Sequence, residues 1–199
     1  MNRWEAAVQF DCVVRVKATK QKIKTKTFMA LATPTLENLA DPTTPQPLRS
    51  PETMRARKII LLADDDPGVR EMVGRVLESE RFQVMTSSTG AETARQFEAG
   101  GPDLVLLDLN MPGGDGWSVL RFINFMQPML PVIIMTARPD QYAQAEDLGV
   151  DSLMEKPLNL AVLLGEIKTL LAETVEQRAH RLARPDFKTT LLPGRAAQD

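Results

Sequence analysis

The chain has 199 residues, 43% hydrophobic and 25% charged, with a net charge of −2, which fits one well-cored domain with extensions or at most two small ones. No apolar run reaches the roughly 18–20 residues of a membrane-spanning helix, and no secretory signal core follows Met1, so a cytoplasmic location is expected. The single Cys12 excludes an internal disulfide, and the single His180 excludes both a zinc ligand set and a Ser–His–Asp arrangement.

Charge is segregated along the chain. Residues 1–57 hold 10 Lys/Arg against 5 Asp/Glu, residues 58–175 hold 9 against 18, and residues 176–199 hold 5 against 3. The acidic middle repels nucleic acid, so no nucleic-acid partner and no membrane partner is expected. The basic run from Lys17 to Lys26 could touch phosphates or anionic lipid, but a solvated arm is the simpler reading. Pro34, Pro42, Pro45, Pro47 and Pro51 forbid a continuous helix or inner strand. Residues 1–57 are therefore read as a disordered linker, with Met54 the natural start and 1–53 a mis-assigned extension.

From Lys58 the pattern becomes regular. Residues 59–63, Ile-Ile-Leu-Leu-Ala, form a short apolar run suited to a strand buried on both faces. Asp64-Asp65-Asp66-Pro67 ends it with a helix-cap signal, and Val69, Met72, Val73, Val76 and Leu77 then recur at helical spacing to about Glu80. Further strands are expected at 82–87, 104–108, 131–136 and, weakly, 152–155. Helices are expected at 90–99, 117–125, 140–148 and from Leu160 to about Ala172. Five strands alternating with five helices predict an α/β fold: a doubly wound, five-stranded parallel sheet of flavodoxin-like order 2-1-3-4-5, with helices on both faces. The domain is placed at 58–173, and 174–199 is expected to be a polar tail that frays.

Open parallel sheets bind ligands beyond the carboxyl ends of their strands, near the switch in strand order. In this order strands one and three are neighbours, so Asp64 and Asp65 meet Asp108. Three converging carboxylates repel one another unless a cation intervenes, and hard oxygen donors suit Mg²⁺. Thr136 and Lys156 end the next two strands on the same rim. A carboxylate nucleophile, a metal, a hydroxyl and an ammonium are the parts that phosphoryl transfer to an aspartate requires.

Asp64-Asp65, the run Leu107-Asp108-Leu109-Asn110-Met111-Pro112 continuing to Asp115-Gly116, Met135-Thr136-Ala137 and Glu155-Lys156-Pro157 together resemble the receiver domain of two-component response regulators. The resemblance spans about residues 58–172. It implies that Asp108 is the phosphoacceptor, taking the group from a sensor histidine kinase or a histidine phosphotransfer protein. It implies that Asp65 and Asp108 ligate Mg²⁺ directly, that Asp64 acts through water, and that the Asn110 backbone carbonyl completes the protein ligands. Lys156 is implied to pair with Asp108 and then with the phosphoryl group, and Thr136 to donate its hydroxyl. Pro112 and Gly116 would shape the adjoining loop, Pro157 would follow a cis peptide, and Asn110 and Arg138 would tune the phosphoryl lifetime. No activity on other substrates is implied.

Other residues carry plainer expectations. Asp66 is read as a helix cap, Asp115 as a loop-ordering residue, Met111 and Trp117 as packing residues, and Asp103 and Asp151 as solvated turn residues. One position departs from the family. Where receiver domains carry an aromatic switch three residues before the lysine, this chain has Leu153, and nothing in the sequence makes Tyr142 its substitute. The expected output is that of a stand-alone receiver working by protein contact, on the face formed by helix 4, strand 5 and helix 5 or by dimerisation on phosphorylation. A phosphorelay intermediate, a phosphate sink, an aspartate-nucleophile phosphatase and a pseudo-receiver that only binds partners remain as alternatives. The phosphatase class usually wants a second acid where Asn110 stands.

Overall fold

The computed structural model describes residues 57–112 and 116–194; the expectations for 1–53, Met54 and Asp115 lie outside them. The order is β1 (Ile59–Ala63), α1 (Pro67–Ser79), β2 (Gln83–Ser87), α2 (Gly90–Gly100), β3 (Leu104–Asp108), α3 (Gly116–Met126), β4 (Val132–Thr136), α4 (Tyr142–Asp147), β5 (Ser152–Glu155), α5 (Leu160–Ala172), α6 (Val175–Leu182) and β6 (Thr190–Leu192).

The strands pair in parallel in the order β2-β1-β3-β4-β5-β6. The expected flavodoxin-like order holds for the first five, but the sheet has six strands rather than five. Successive side chains of a strand face opposite sides of a sheet, and the core divides accordingly. Leu61, Ala63, Val105, Leu107, Ile134 and Leu153 pack with Phe97 of α2, with Trp117, Leu120 and Ile123 of α3, and with Ala145 of α4. Ile60, Leu62, Leu104, Leu106, Ile133, Met135 and Met154 pack with Val73 and Leu77 of α1 and with Leu163, Ile167 and Leu170 of α5. Both faces of β3 and β4 are covered, which is why these strands read as unbroken apolar runs. Phe97 and Phe122 meet edge to face with ring centroids 5.8 Å apart.

Helix starts follow local chemistry. Asp66 caps α1, its Oδ1 accepting from the amides of Gly68 at 2.7 Å and Val69 at 3.4 Å, with Pro67 in the first turn. Thr89 and Asn159 cap α2 and α5 in the same way. The expected fourth helix is shorter than its sequence window, and its Gln141 cap makes no side-chain cap hydrogen bond.

Where a fraying tail is expected, residues 174–194 fold into a further helix and strand. Thr174 and Gln177 form a reciprocal capping box that starts α6. Arg178 from that helix is buried and forms a two-pronged ion pair with Asp151, one prong from Nη1 and the other from Nη2 at 2.7 Å, while Nη2 also donates to the Leu130 carbonyl. Asp151 is 1% exposed and also accepts from the Val132 amide. The expectation of a solvated turn residue there is corrected, because the buried Arg178 guanidinium and this amide keep the carboxylate satisfied away from water. Asp103 is likewise more than a turn residue: it accepts from the Ile59 amide at 2.8 Å and from Lys58 at 2.6 Å. Beyond α6 the chain returns as β6, with Leu192 seated in the α1/α5 side of the core.

A candidate phosphoryl-acceptor site at the strand ends

The register places the acidic residues together. Ala63 lies opposite Leu107, so Asp64 and Asp108 leave neighbouring strands at the same level. Asp64, Asp65 and Asp108 each present an oxygen within 4.8 Å of the other two. Asp64 and Asp108 are buried, and Asp65 opens to solvent. Lys156, at the end of β5, brings Nζ to 2.8 Å from Oδ2 of Asp64 and to 2.8 Å from Oδ2 of Asp108. The contact to Asp108 is a well-directed hydrogen bond. Asp64 Oδ2 gains charge neutralisation from the ammonium, but the approach is poorly directed, and the oxygen is left without a good hydrogen-bond donor.

Backbone amides hold the other carboxylate oxygens. The Asp66 amide donates to Asp64 Oδ1 at 3.0 Å, and the Asn110 amide donates to Asp108 Oδ1 at 3.1 Å. The Asn110 side-chain Oδ1 is buried without a partner. Thr136 is fully buried, and its hydroxyl oxygen accepts from the Arg138 amide at 3.0 Å, leaving the hydroxyl proton free to donate elsewhere. The Lys156 amide donates to the Thr136 carbonyl at 2.8 Å, which ties the last two rim residues together. The Lys156–Pro157 peptide is cis, as expected.

Gly116 closes the site from below. A Cβ there would lie 2.6 Å from Leu109 Cα and 2.7 Å from the Asp108 carbonyl oxygen, so only glycine lets α3 start this close to the strand. Met111 and Trp117 are buried, in keeping with packing roles, and the indole of Trp117 donates to Gln141 at 3.3 Å.

Electrostatics follow from this crowding. Burial pushes the Asp64 carboxyl above its ordinary value; Lys156 and the Asp66 amide offset this only in part. Burial works against the charged Lys156, but its hydrogen bond to Asp108, its ion pair with Asp64 and the charges of both carboxylates outweigh it and hold the ammonium above the ordinary lysine range. A donor set of clustered carboxylates, with an orphaned buried oxygen on Asp64 and one open side at Asp65, fits a hard divalent cation such as Mg²⁺.

All the site residues expected from the sequence, Asp64, Asp65, Asp108, Asn110, Thr136 and Lys156, come to one rim. Leu153 is buried, 1% exposed, and packs in the core beside β4. Tyr142 does not enter the site; its hydroxyl donates to the Thr189 carbonyl at 2.7 Å, just ahead of β6. That contact and the Arg178–Asp151 pair were missed in the sequence. Thr174-x-x-Gln177 was the one signal that could have announced them, as a capping box ahead of a helix.

A family model described as the response regulator receiver domain matches residues 60–168. The chain is 32% identical over 142 residues to the DNA-binding transcriptional regulator NtrC of Escherichia coli, covering 70% of this chain and 30% of that protein. It is 36% identical over 114 residues to the transcriptional regulatory protein PrrA of Mycobacterium bovis, covering 56% of this chain and 49% of that one. The chain thus spans less than half the length of these curated relatives. A CheY-like response regulator receiver domain protein from Methanospirillum hungatei superimposes with a TM-score of 0.57 at 28% identity, over 63% of this chain and 99% of that one. The response regulator protein TrrA of Thermotoga maritima, solved with Mg²⁺ and BeF, gives 0.53 at 31% identity, over 57% and 98%.

Proposed function

The chain belongs to the response regulator receiver family of two-component signalling, and from that premise we propose that Asp108 is its phosphoacceptor. The observation that carries the proposal is the bridging ammonium: Lys156 Nζ stands 2.8 Å from Asp64 and from Asp108 in a pocket open at Asp65. A carboxylate oxygen of Asp108 attacks phosphorus, and the bond from phosphorus to a histidine nitrogen of the donor protein breaks. The bonding pair leaves on that nitrogen, and the imidazole remains with the donor. Lys156 exchanges part of its contact with Asp108 for a phosphoryl oxygen, and Thr136 turns its hydroxyl proton to another. Asp65, Asp108 and the Asn110 carbonyl would hold Mg²⁺, with Asp64 acting through water. When bound, the ion offsets the negative charge that accumulates between the carboxylates and the incoming group. Hydrolysis of the aspartyl phosphate returns the carboxylate, so the chemistry stays on the chain's own Asp108, and we do not assign it turnover of other substrates.

The test is direct. The protein incubated with Mg²⁺ and acetyl phosphate should gain one base-labile phosphoryl group, and Asp108→Asn should gain none. An unmodified Asp108 would leave the pseudo-receiver reading in its place.

We infer a sensor histidine kinase or a histidine phosphotransfer protein as donor and the cytoplasm as the location. For output, the names of NtrC and PrrA favour transcription regulation, and they weaken the expectation that no nucleic acid is involved. The stand-alone reading draws no support from these relatives, which extend well beyond the matched segment. A phosphorelay intermediate or phosphate sink is the second reading for output, because α6 and β6 give this receiver its own C-terminal cover.

A further inference from the structure

Both ends of the sixth strand touch segments next to the site, the first turn of α4 at its start and the turn that contains Lys156 at its end. At its start, the Tyr142 hydroxyl, in the first turn of α4, donates to the Thr189 carbonyl at 2.7 Å. At its end, Gly194 lies against the β5–α5 turn. A Cβ there would sit 2.8 Å from the Glu155 carbonyl oxygen and 3.0 Å from that of Pro157. Those carbonyls flank Lys156, whose ammonium is shared between Asp64 and Asp108 and whose amide is bonded to Thr136.

Between these fasteners the strand is slight. It has three residues; the Thr190 amide donates to Asp151, and the Thr189 hydroxyl to Val150. Leu192 is buried, but Leu191 is 58% exposed. Helix α6 is held by the Asp151 carboxylate, through the buried Arg178 pair reinforced by Arg181, whereas the strand takes only the Asp151 backbone carbonyl. Strand and helix can therefore part company.

Resting on the phosphoacceptor reading above, we propose that β6 is the output element, and that phosphorylation of Asp108 detaches it from the β5 edge while α6 stays docked. A phosphoryl group on Asp108 displaces the direct contact between Oδ2 and Nζ. The ammonium then follows the phosphoryl oxygens outward, and the Thr136 hydroxyl turns to them. The backbone at 155–157 and the loop leading to Tyr142 shift with those side chains. The backbone at Gly194 packs against the Glu155 and Pro157 carbonyls with no room for a side chain, so a shift of those carbonyls toward it pushes on the end of the strand. Local opening is drawn from weakly held elements, and β6 is one. The strand thereby provides a readout that Leu153, an aliphatic residue locked in the core, does not. Its departure bares the β5 edge, whose amides and carbonyls are a template for strand addition.

Hydrogen exchange read by mass spectrometry on the full chain, with Mg²⁺ and with or without acetyl phosphate, tests the device. The phosphoryl content of Asp108 is measured on the same samples. On phosphorylation, exchange at 189–192 should rise at least about tenfold, exchange at 175–182 should stay level, and Asp108→Asn should show no change. Phosphorylated Asp108 with unchanged or slower exchange at 189–192 overturns the proposal alone, and so does an equal rise across 175–192, which would mean that the whole tail lifts. Absence of a phosphoryl group overturns the acceptor reading and this one with it. Gly194→Ala supplies an independent arm: it should raise exchange at 189–192 without phosphorylation, and unaltered exchange would show that the seat does not hold the strand.

Discussion

Replacing Lys156 by alanine leaves Asp64 and Asp108 facing each other, both buried, with no ion-pair partner left for either among the described residues. Removing one partner of a buried pair costs about 3–5 kcal/mol, and the partial exposure of Lys156 brings the expected loss to roughly 2–4 kcal/mol. Because the defect is uncompensated negative charge, Mg²⁺ should restore more stability to Lys156→Ala than it adds to the parent. Urea melts with and without Mg²⁺ measure this; equal gains in the two proteins would mean that Lys156 does not offset the charge the ion meets, and no gain in either that the acidic cluster does not bind it. Gly116 is a second sensitive residue. Gly116→Ala forces a methyl group into backbone atoms of Asp108 and Leu109, a clash expected to cost about 1–3 kcal/mol. It should also slow phosphoryl uptake more than an equally destabilising change remote from the site, as phosphorylation time courses on stability-matched variants would show.

At the scale of elements, α6 depends on a charge cluster rather than on apolar area. Arg178→Ala would leave buried Asp151 with only the partly exposed Arg181 and the Val132 amide, with an expected loss of about 2–4 kcal/mol. Arg184→Ala, which breaks only the exposed pair with Asp186, should stay within about 0.5 kcal/mol. Denaturation of the two variants side by side decides the point, and similar losses would refute the buried-pair account. The outer part of the cluster is pH-sensitive. The Arg181 hydrogen bond holds the Glu173 carboxyl below its ordinary value of 4.5. A depressed value in the folded state means that this contribution is present above pH 4.5 and is lost as pH falls through the folded value. The stability gap between the parent and Arg181→Ala should therefore narrow on acidification below about pH 4.5. A gap that is constant with pH would remove Glu173 from the clasp.

For the molecule as a whole, the sixth strand changes what the sheet can meet. The expected interaction face, made by α4, β5 and α5, carries β6 on its exposed strand. Ending the chain after Arg184 keeps α6 and its ion pair but opens the β5 edge. The shortened protein should still take up a phosphoryl group on Asp108, and it should self-associate at concentrations where the full chain does not. Sedimentation of both forms measures this; a shortened protein that stays as monomeric as the full chain would show that β6 is not guarding that edge.

The apolar runs at 59–63, 104–108 and 132–136 determined by themselves that buried parallel strands would form, because only a strand covered on both faces tolerates unbroken hydrophobic side chains. The βα alternation then fixed which strand ends share a rim, and so the gathering of Asp64, Asp65, Asp108, Thr136 and Lys156 was legible before any coordinates. Tertiary structure alone decided the fate of Asp151, Arg178, Tyr142 and β6. A polar tail carries no periodic signal, and whether an arginine lies in solvent or inside depends on a carboxylate 27 residues away. A three-residue strand has too little sequence to declare itself. It forms because the β5 edge, the Tyr142 hydroxyl and the carbonyls around Lys156 are already in place to receive it.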